Sequence, residues 1–360
     1  MATTIAIRKP RYDRPSRQPS ACKLIACLIL AIVLSTAESY ACTSMIISAE
    51  RSESGRPLLW KHRDTDADNN FIARVEPTDS TAGYVALFNA GDSTLSEAWL
   101  GMNDRGFAIM NTASYNLPDL ESELCDREAV VMTEALKYCT TLADFEQLLN
   151  SLPKPLGVQA NFGVIDAQGG AAYFETSDRH HTRFDVADSE DGYLIRTNYS
   201  VSGTPGEGRG FVRYKTTEKL ASNQEKFSPQ TLTEGFSRQF YHSLLEKDFY
   251  GDSIIVNVDF IPRPLSTASL VVEGITPGMP TSEMHIWGCL GYPPCGVSQW
   301  VTLTEIPDGF LPKGSEWRSE ACDEAFSLYR TAIPSGIGGD NPYLDMTVLR
   351  PIIEKMKSEP

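Results

Sequence analysis

At 360 residues, 41% hydrophobic and 22% charged, the chain has the composition of a folded globular protein, not a disordered or fibrous one. Its 47 acidic residues outweigh 32 basic ones, for a formal net charge of −15. That balance repels nucleic acid and anionic lipid surfaces and argues against both as partners, while leaving small-molecule substrates open.

The first 41 residues differ in kind from the rest. Arg8, Lys9, Arg11, Arg14, Arg17 and Lys23 form a basic leader, followed by the unbroken apolar run 24–34 and the polar stretch 35–40. That run is too short to span a bilayer, which takes about 20 residues. With small residues at Ser39 and Ala41, the pattern predicts a secretory signal peptide over 1–41 and cleavage before Cys42. The protein is then periplasmic or secreted, with no stable membrane span. An uncleaved anchor fits a short segment ending in a cleavable pattern less well. A lipoprotein signal would use Leu24, Ile25 and Ala26 before Cys27, but no apolar run precedes that site, and Cys42 lacks the leucine expected three residues earlier. Loss of residues 1–41 removes six basic and two acidic residues and takes the net charge to −19.

From residue 42 on, one domain is the simplest reading, since neither a linker nor a repeat breaks the chain. A short β-branched run at 43–48, a turn at 52–56 and a second run at 57–62 predict a hairpin that begins at the new N-terminus. Further strands are expected at 83–89, 96–102, 106–111, 159–166, 171–176 and 193–198, many joined by short turns such as Asn103-Asp104-Arg105-Gly106. Helical periodicity marks 127–139, 141–152, 213–222 and 232–245. Strand patterns return at 253–260, 267–273 and 297–303, and helices at 320–329 and 345–357. Runs of strands with paired helices indicate an α+β sandwich of mostly antiparallel sheets, not a doubly wound parallel sheet.

Eight cysteines are present, and Cys22 and Cys27 would leave with the signal. Export favours pairing among the remaining six. Cys289 and Cys295, around Leu-Gly-Tyr-Pro-Pro, are the foremost candidate disulfide, with Cys125 and Cys139 second. His62, His180, His181, His242 and His285 do not fall at metal-ligand spacings with these cysteines, so neither metal nor cofactor is expected. Two pairs would leave Cys42 and Cys322 over, one of them a reactive thiol.

Cleavage that leaves a cysteine first has a chemical consequence. The freed α-amine, with a pKa of about 7.7 to 8.0, lies beside the thiol and can serve as its base. The alternative is a cysteine that merely follows the cut, to be paired or lipid-modified. Trp60-Lys61-His62-Arg63-Asp64-Thr65-Asp66 ends the hairpin's second strand, which returns the chain to its start. Arg63 and Asp66 can therefore flank the N-terminus, the guanidinium favouring thiolate and the carboxylate holding the amine. A solvated charge cluster is the plainer alternative.

Cys42-Thr43-Ser44, the Arg-x-x-Asp of Arg63 and Asp66, and Gly101-Met102-Asn103-Asp104-Arg105-Gly106 resemble the linear-amide branch of the N-terminal-nucleophile hydrolases. The resemblance is closest to the acyl-coenzyme A:6-aminopenicillanic acid acyltransferase-like group, relatives of choloylglycine hydrolase and penicillin V acylase. Asn161-Phe162-Gly163-Val164-Ile165-Asp166-Ala167-Gln168-Gly169, Glu175 and Arg196-Thr197-Asn198 resemble its later landmarks. The resemblance implies a four-layer αββα sandwich and a hydrolase that cleaves a linear amide through an acyl-enzyme on Cys42. By it Arg63 and Asp66 order the nucleophile, Asn198 is an oxyanion donor, and Asn111 is a second donor or substrate contact. It also calls for an arginine, assigned to Arg213 with Arg209 close behind. A small N-acyl amide is the expected substrate, and a homo-oligomer stays open. An acyltransferase using the same acyl-enzyme, and an inactive lipid-anchored binding protein, are the competing functions.

Overall fold

The computed structural model describes residues 42–118, 125–334 and 343–358. The expected signal segment, 1–41, lies outside the described residues.

The chain opens as the expected hairpin. β1 (Thr43–Ile47) and β2 (Leu58–Asp64) pair antiparallel, Thr43 opposite His62 and Ile47 opposite Leu58. Next come β3 (Asn70–Val75), β4 (Tyr84–Asn89), β5 (Leu100–Asn103) and β6 (Ala108–Ala113). Helices α1 (Glu128–Tyr138) and α2 (Leu142–Ser151) interrupt the strands. A reciprocal cap starts α2: Thr141 accepts the Asp144 amide while the Asp144 carboxylate accepts the Thr141 amide, satisfying two otherwise orphaned donors. β7 (Ala160–Ile165), β8 (Ala171–Thr176) and β9 (His181–Asp185) then complete a seven-stranded antiparallel meander, β3 through β9 in sequence order.

β10 (Tyr193–Arg196) crosses back to the first hairpin and pairs with β1, and α3 (Phe211–Ala221) follows it. Two short pairings involve β11 (Tyr241–His242) with β12 (Lys247–Asp248), and β13 (Ile254–Val256) with a late strand at Tyr343–Asp345. β14 (Ser266–Glu273), β15 (His285–Leu290) and β16 (Gln299–Thr302) extend the second sheet, whose order is β10-β1-β2-β14-β15-β16. The chain closes with α4 (Glu320–Thr331), β17 (Tyr343–Asp345) and α5 (Met346–Ser358).

Three apolar cores order these pieces into layers. Phe88, Ile109 and Phe162 of the meander pack against Met132 and Leu136 of α1 and Phe145 of α2. Ile46, Leu59, Leu270 and Ile286 of the six-stranded sheet face Val85, Met102 and Met110 of the meander. Met45, Leu58, Trp60 and Val271 point the other way, toward Ala221 of α3 and Phe236. Helix, sheet, sheet, helix is the expected αββα sandwich.

Six strands escaped sequence reading: β3, β9 and β15 in the two large sheets, and the short β11, β12 and β17. β3 follows a run of charges, β9 opens at His181 in what reads as a polar turn, and β15 carries the first cysteine of the pair that drew the reading toward a disulfide. Conversely, 232–245 is not a helix. It forms a π-turn at Thr231–Gly235 and a 3₁₀ turn at Phe236–Arg238, then enters the β11–β12 hairpin. Gly235 inside the apolar periodicity weakens a helix at that point.

The expected disulfides are absent. Cys289 and Cys295 are buried free thiols, as is Cys139, whereas Cys125 is exposed. Cys289 lies on β15 opposite Ser269, and Gly296 packs so close that a Cβ there would stand 3.0 Å from the Cys289 sulfur. Cys295 closes the 3₁₀ turn Pro293–Cys295, and burial pushes its thiol up to about 12. Two thiols in this packing are held as small apolar groups. Denaturation without reductant, followed by alkylation and peptide mapping, should label both Cys289 and Cys295. A disulfide-linked peptide containing the two would contradict the structure.

Candidate active site

Strand alternation sets the site. On β1, Met45 and Ile47 face the outer helical layer, while Ile46 and Ser44 face the meander, where the Ser44 hydroxyl is 2.8 Å from that of Tyr173. The same period of two turns Cys42 inward. It is 7% exposed and lies on the wall of a cleft of about 460 Å³, its thiol 3.8 Å from the Asp64 carbonyl.

β2 repeats the pattern with charges. Leu59, Lys61 and Arg63 share one face, and Leu58, Trp60, His62 and Asp64 the other. The inward face thus carries two cations into the sandwich. Arg63 donates to Asn70 and, at 2.7 Å, to Asn89 Oδ1, and its guanidinium lies 4.9 Å over the Trp99 ring. Lys61 donates to the Trp99 carbonyl at 2.8 Å and to Asn111 Oδ1 at 2.7 Å. Burial lowers Lys61 to about 7 and Arg63 to about 10, because an interior of low polarity disfavours the charged form. Across the cleft, Glu128 at the start of α1 accepts the Gln159 amide at 3.1 Å, and burial raises its carboxyl to about 7.

Behind Cys42 stands a third cation. Arg213 of α3 donates to the Cys42 carbonyl at 2.6 Å, to the Thr43 hydroxyl at 2.8 Å and to Asn198 Oδ1 at 2.8 Å. Asn198 in turn donates from its amide nitrogen to the Ala113 carbonyl at 3.0 Å. Burial brings Arg213 down to about 10. On the outer face of β2, Ser266 donates to Asp64 at 2.6 Å and sits 2.8 Å from His62 Nε2. Burial holds His62 down to about 3 and raises the Asp64 carboxyl. His62 is therefore a neutral packing group and not a base for the thiol.

Of the residues expected from sequence, Cys42, Arg63, Asp66 and Asn111 line one cleft. Arg213 reaches the cysteine's carbonyl from behind, and Asn198 is joined to it through Arg213, outside the residues that line the cleft. Arg209 instead stacks its guanidinium 5.2 Å from the Tyr115 ring. Lys61, Trp99 and Glu128 were not anticipated. Lys61 had a readable signal: two residues before Arg63 on one strand, it must share that residue's face. Glu128 had none, since its approach depends on where α1 docks.

The family model described as acyl-coenzyme A:6-aminopenicillanic acid acyl-transferase matches residues 63–258, more than half of the chain. The match begins at Arg63 and so does not include Cys42. No curated protein matches. Among solved structures, a Caenorhabditis elegans N-acylethanolamine-hydrolyzing acid amidase ortholog is 13% identical, over 66% of this chain and 94% of that one, at a TM-score of 0.44. A conjugated bile acid hydrolase from Clostridium perfringens is 11% identical over 72% and 92%, at 0.42. A penicillin V acylase from Agrobacterium tumefaciens is 15% identical over 74% and 87%, at 0.43.

The buried ammonium leaves a signature in stability. Lys61 falls from its ordinary 10.5 to about 7 on folding, so between those values the unfolded chain binds the extra proton and stability rises with pH. Each unit is worth up to about 1.4 kcal/mol. Lys61→Met removes this term. Denaturant unfolding at pH 7 and pH 9 should show wild type gaining about 1 to 3 kcal/mol on the variant between the two. An unchanged difference would mean that Lys61 stays charged in the fold.

Proposed function

Because the chain belongs to the acyl-coenzyme A:6-aminopenicillanic acid acyl-transferase family, we propose that it is an exported cysteine hydrolase of linear amides, matured by removal of residues 1–41. The observation that carries this reading is the convergence of Cys42, Arg63, Asp66 and Asn111 on one cleft. In the mature protein the Cys42 α-amine takes the thiol proton, and the thiolate attacks the acyl carbon of a small N-acyl amide. The carbonyl oxygen becomes an alkoxide, stabilised by the amide NH₂ groups of Asn111 and Asn198. Collapse of the intermediate expels the amine, which receives the proton held by the α-amine, and leaves a thioester on Cys42. Water then attacks the thioester and frees the acid. Asp66 holds the α-amine, and Arg63 supplies positive potential beside the thiolate.

No cofactor enters this scheme, and the acidic chain is unsuited to nucleic acid. The family description favours one second reading from the same site: an amine in place of water resolves the thioester, giving acyl transfer.

Intact-mass analysis of the exported protein should place Cys42 at the N-terminus, and Cys42→Ala should abolish amine release from N-acyl amides. A residue added before Cys42 and left uncut should also inactivate it, since it turns the amine into an amide. Full activity of that extended protein would end the N-terminal-nucleophile reading.

Asn198→Ala removes a donor aimed at the alkoxide and should lower turnover about a hundredfold to a thousandfold. It also takes an acceptor from buried Arg213, so thermal unfolding should show a loss of about 1 to 3 kcal/mol. Unaltered turnover in a folded variant would remove Asn198 from the chemistry.

A further inference from the structure

Lys61 is an expensive residue to keep. It is 2% exposed, and an aliphatic side chain of similar length would fill its place without the cost of dehydrating an ammonium. Its contacts show what the charge does. The register between β5 and β6 ends at Leu100 opposite Met110, so neither Trp99 nor Asn111 has a partner across that gap. The Lys61 ammonium fills it, bonding the Trp99 carbonyl and the Asn111 side chain together.

Below about pH 7, where it is charged, Lys61 has donors and no acceptor, so the Asn111 atom it touches at 2.7 Å is the carbonyl oxygen; the neutral amine above that keeps two N–H donors, one for Asn111 and one for the Trp99 carbonyl. The NH₂ is thereby turned away from Lys61. Asn111 lines the cleft, and among the described residues no acceptor takes its amide hydrogens. Resting on the amidase reading above, we propose that Lys61 is a positioning residue that locks the Asn111 amide with its NH₂ toward the reacting carbonyl. An asparagine side chain rotates easily between its two amide orientations, and the wrong one would present an oxygen lone pair to a developing alkoxide. Arg213 performs the same office for Asn198: a donor-only guanidinium claims Oδ1 and leaves the NH₂ on the far side. Each donor to the alkoxide is thus oriented by its own buried cation.

Kinetics on a panel of N-acyl amides tests this with wild type, Lys61→Met, Asn111→Ala, the double variant and Cys42→Ala. Lys61→Met should lose about tenfold to a hundredfold in kcat, part of what loss of one donor costs, with KM within about twofold. In the Asn111→Ala background, Lys61→Met should cost nothing further, because its effect passes through Asn111. Additive losses, an effect on KM alone, or full kcat in Lys61→Met would overturn the assignment. Should Lys61→Met not fold, Asn111→Asp keeps an acceptor for Lys61 and lacks the NH₂, and it must be slow at unchanged KM; a fully active Asn111→Asp overturns the proposal. A wild type inert toward the whole panel refutes the amidase reading and this proposal with it. An active wild type and dead Cys42→Ala beside a fully active Asn111→Ala refute this one alone.

Discussion

The Arg213 guanidinium is the contact on which the site depends. It crosses from the helical layer through the six-stranded sheet's outer face and holds three oxygens at once: the carbonyl of Cys42, the hydroxyl of Thr43 and the side chain of Asn198. Those oxygens belong to the start of the chain's first strand and to the turn after β10. A planar fork with five fixed donors suits such a junction, where a lysine would offer one mobile point of charge. The expense is a buried cation with no carboxylate in hydrogen-bond contact, and burial brings it down to about 10.

Burial of charge on β2 follows the same logic from the other side. An alternating strand in a sandwich ordinarily sends apolar residues both ways, as Leu58 and Leu59 do. Two and four residues beyond Leu59, Lys61 and Arg63 occupy inward positions that composition alone would give to aliphatics. Each finds acceptors on the facing meander: Asn111 and the Trp99 carbonyl for one, Asn70 and Asn89 for the other. Hydrogen bonds replace the lost water, and the apolar packing between the sheets gives way to a cleft where these cations enter.

How much of this the sequence disclosed depends on the range of the interaction. The β1–β2 hairpin, the meander strands from β4 to β8 and helices α1 and α2 were legible because period, caps and turns are local. The residues converging on the cleft were legible through motif order and resemblance, and Arg213 was separated from Arg209 only by the structure: one enters the core, the other stacks on Tyr115. The missed elements had weaker local signals. β15 carries Cys289, which, with an exported chain assumed, read as half of a disulfide; the packing of Gly296 against its sulfur is a tertiary fact. Glu128 nears the cleft because α1 docks on the meander, which no window of sequence around it encodes.

The position of β1 bears on how maturation could work without rebuilding the site. Ser44 pairs with Lys61 on one side and Arg196 on the other, so the strand that carries Cys42 is a central one, bonded along both edges. Strands held on both sides gain their order from their neighbours and not from the chain that precedes them. Arg213 adds a hold on the Cys42 carbonyl, C-terminal to the bond that cleavage would break. Among the described residues, the contacts that fix the cysteine thus lie at or after residue 42 in the chain. In the proposed scheme, cutting before Cys42 changes one nitrogen from an amide into a base and leaves the surrounding framework as it was. The nucleophile is then placed by folding and switched on by a single broken bond.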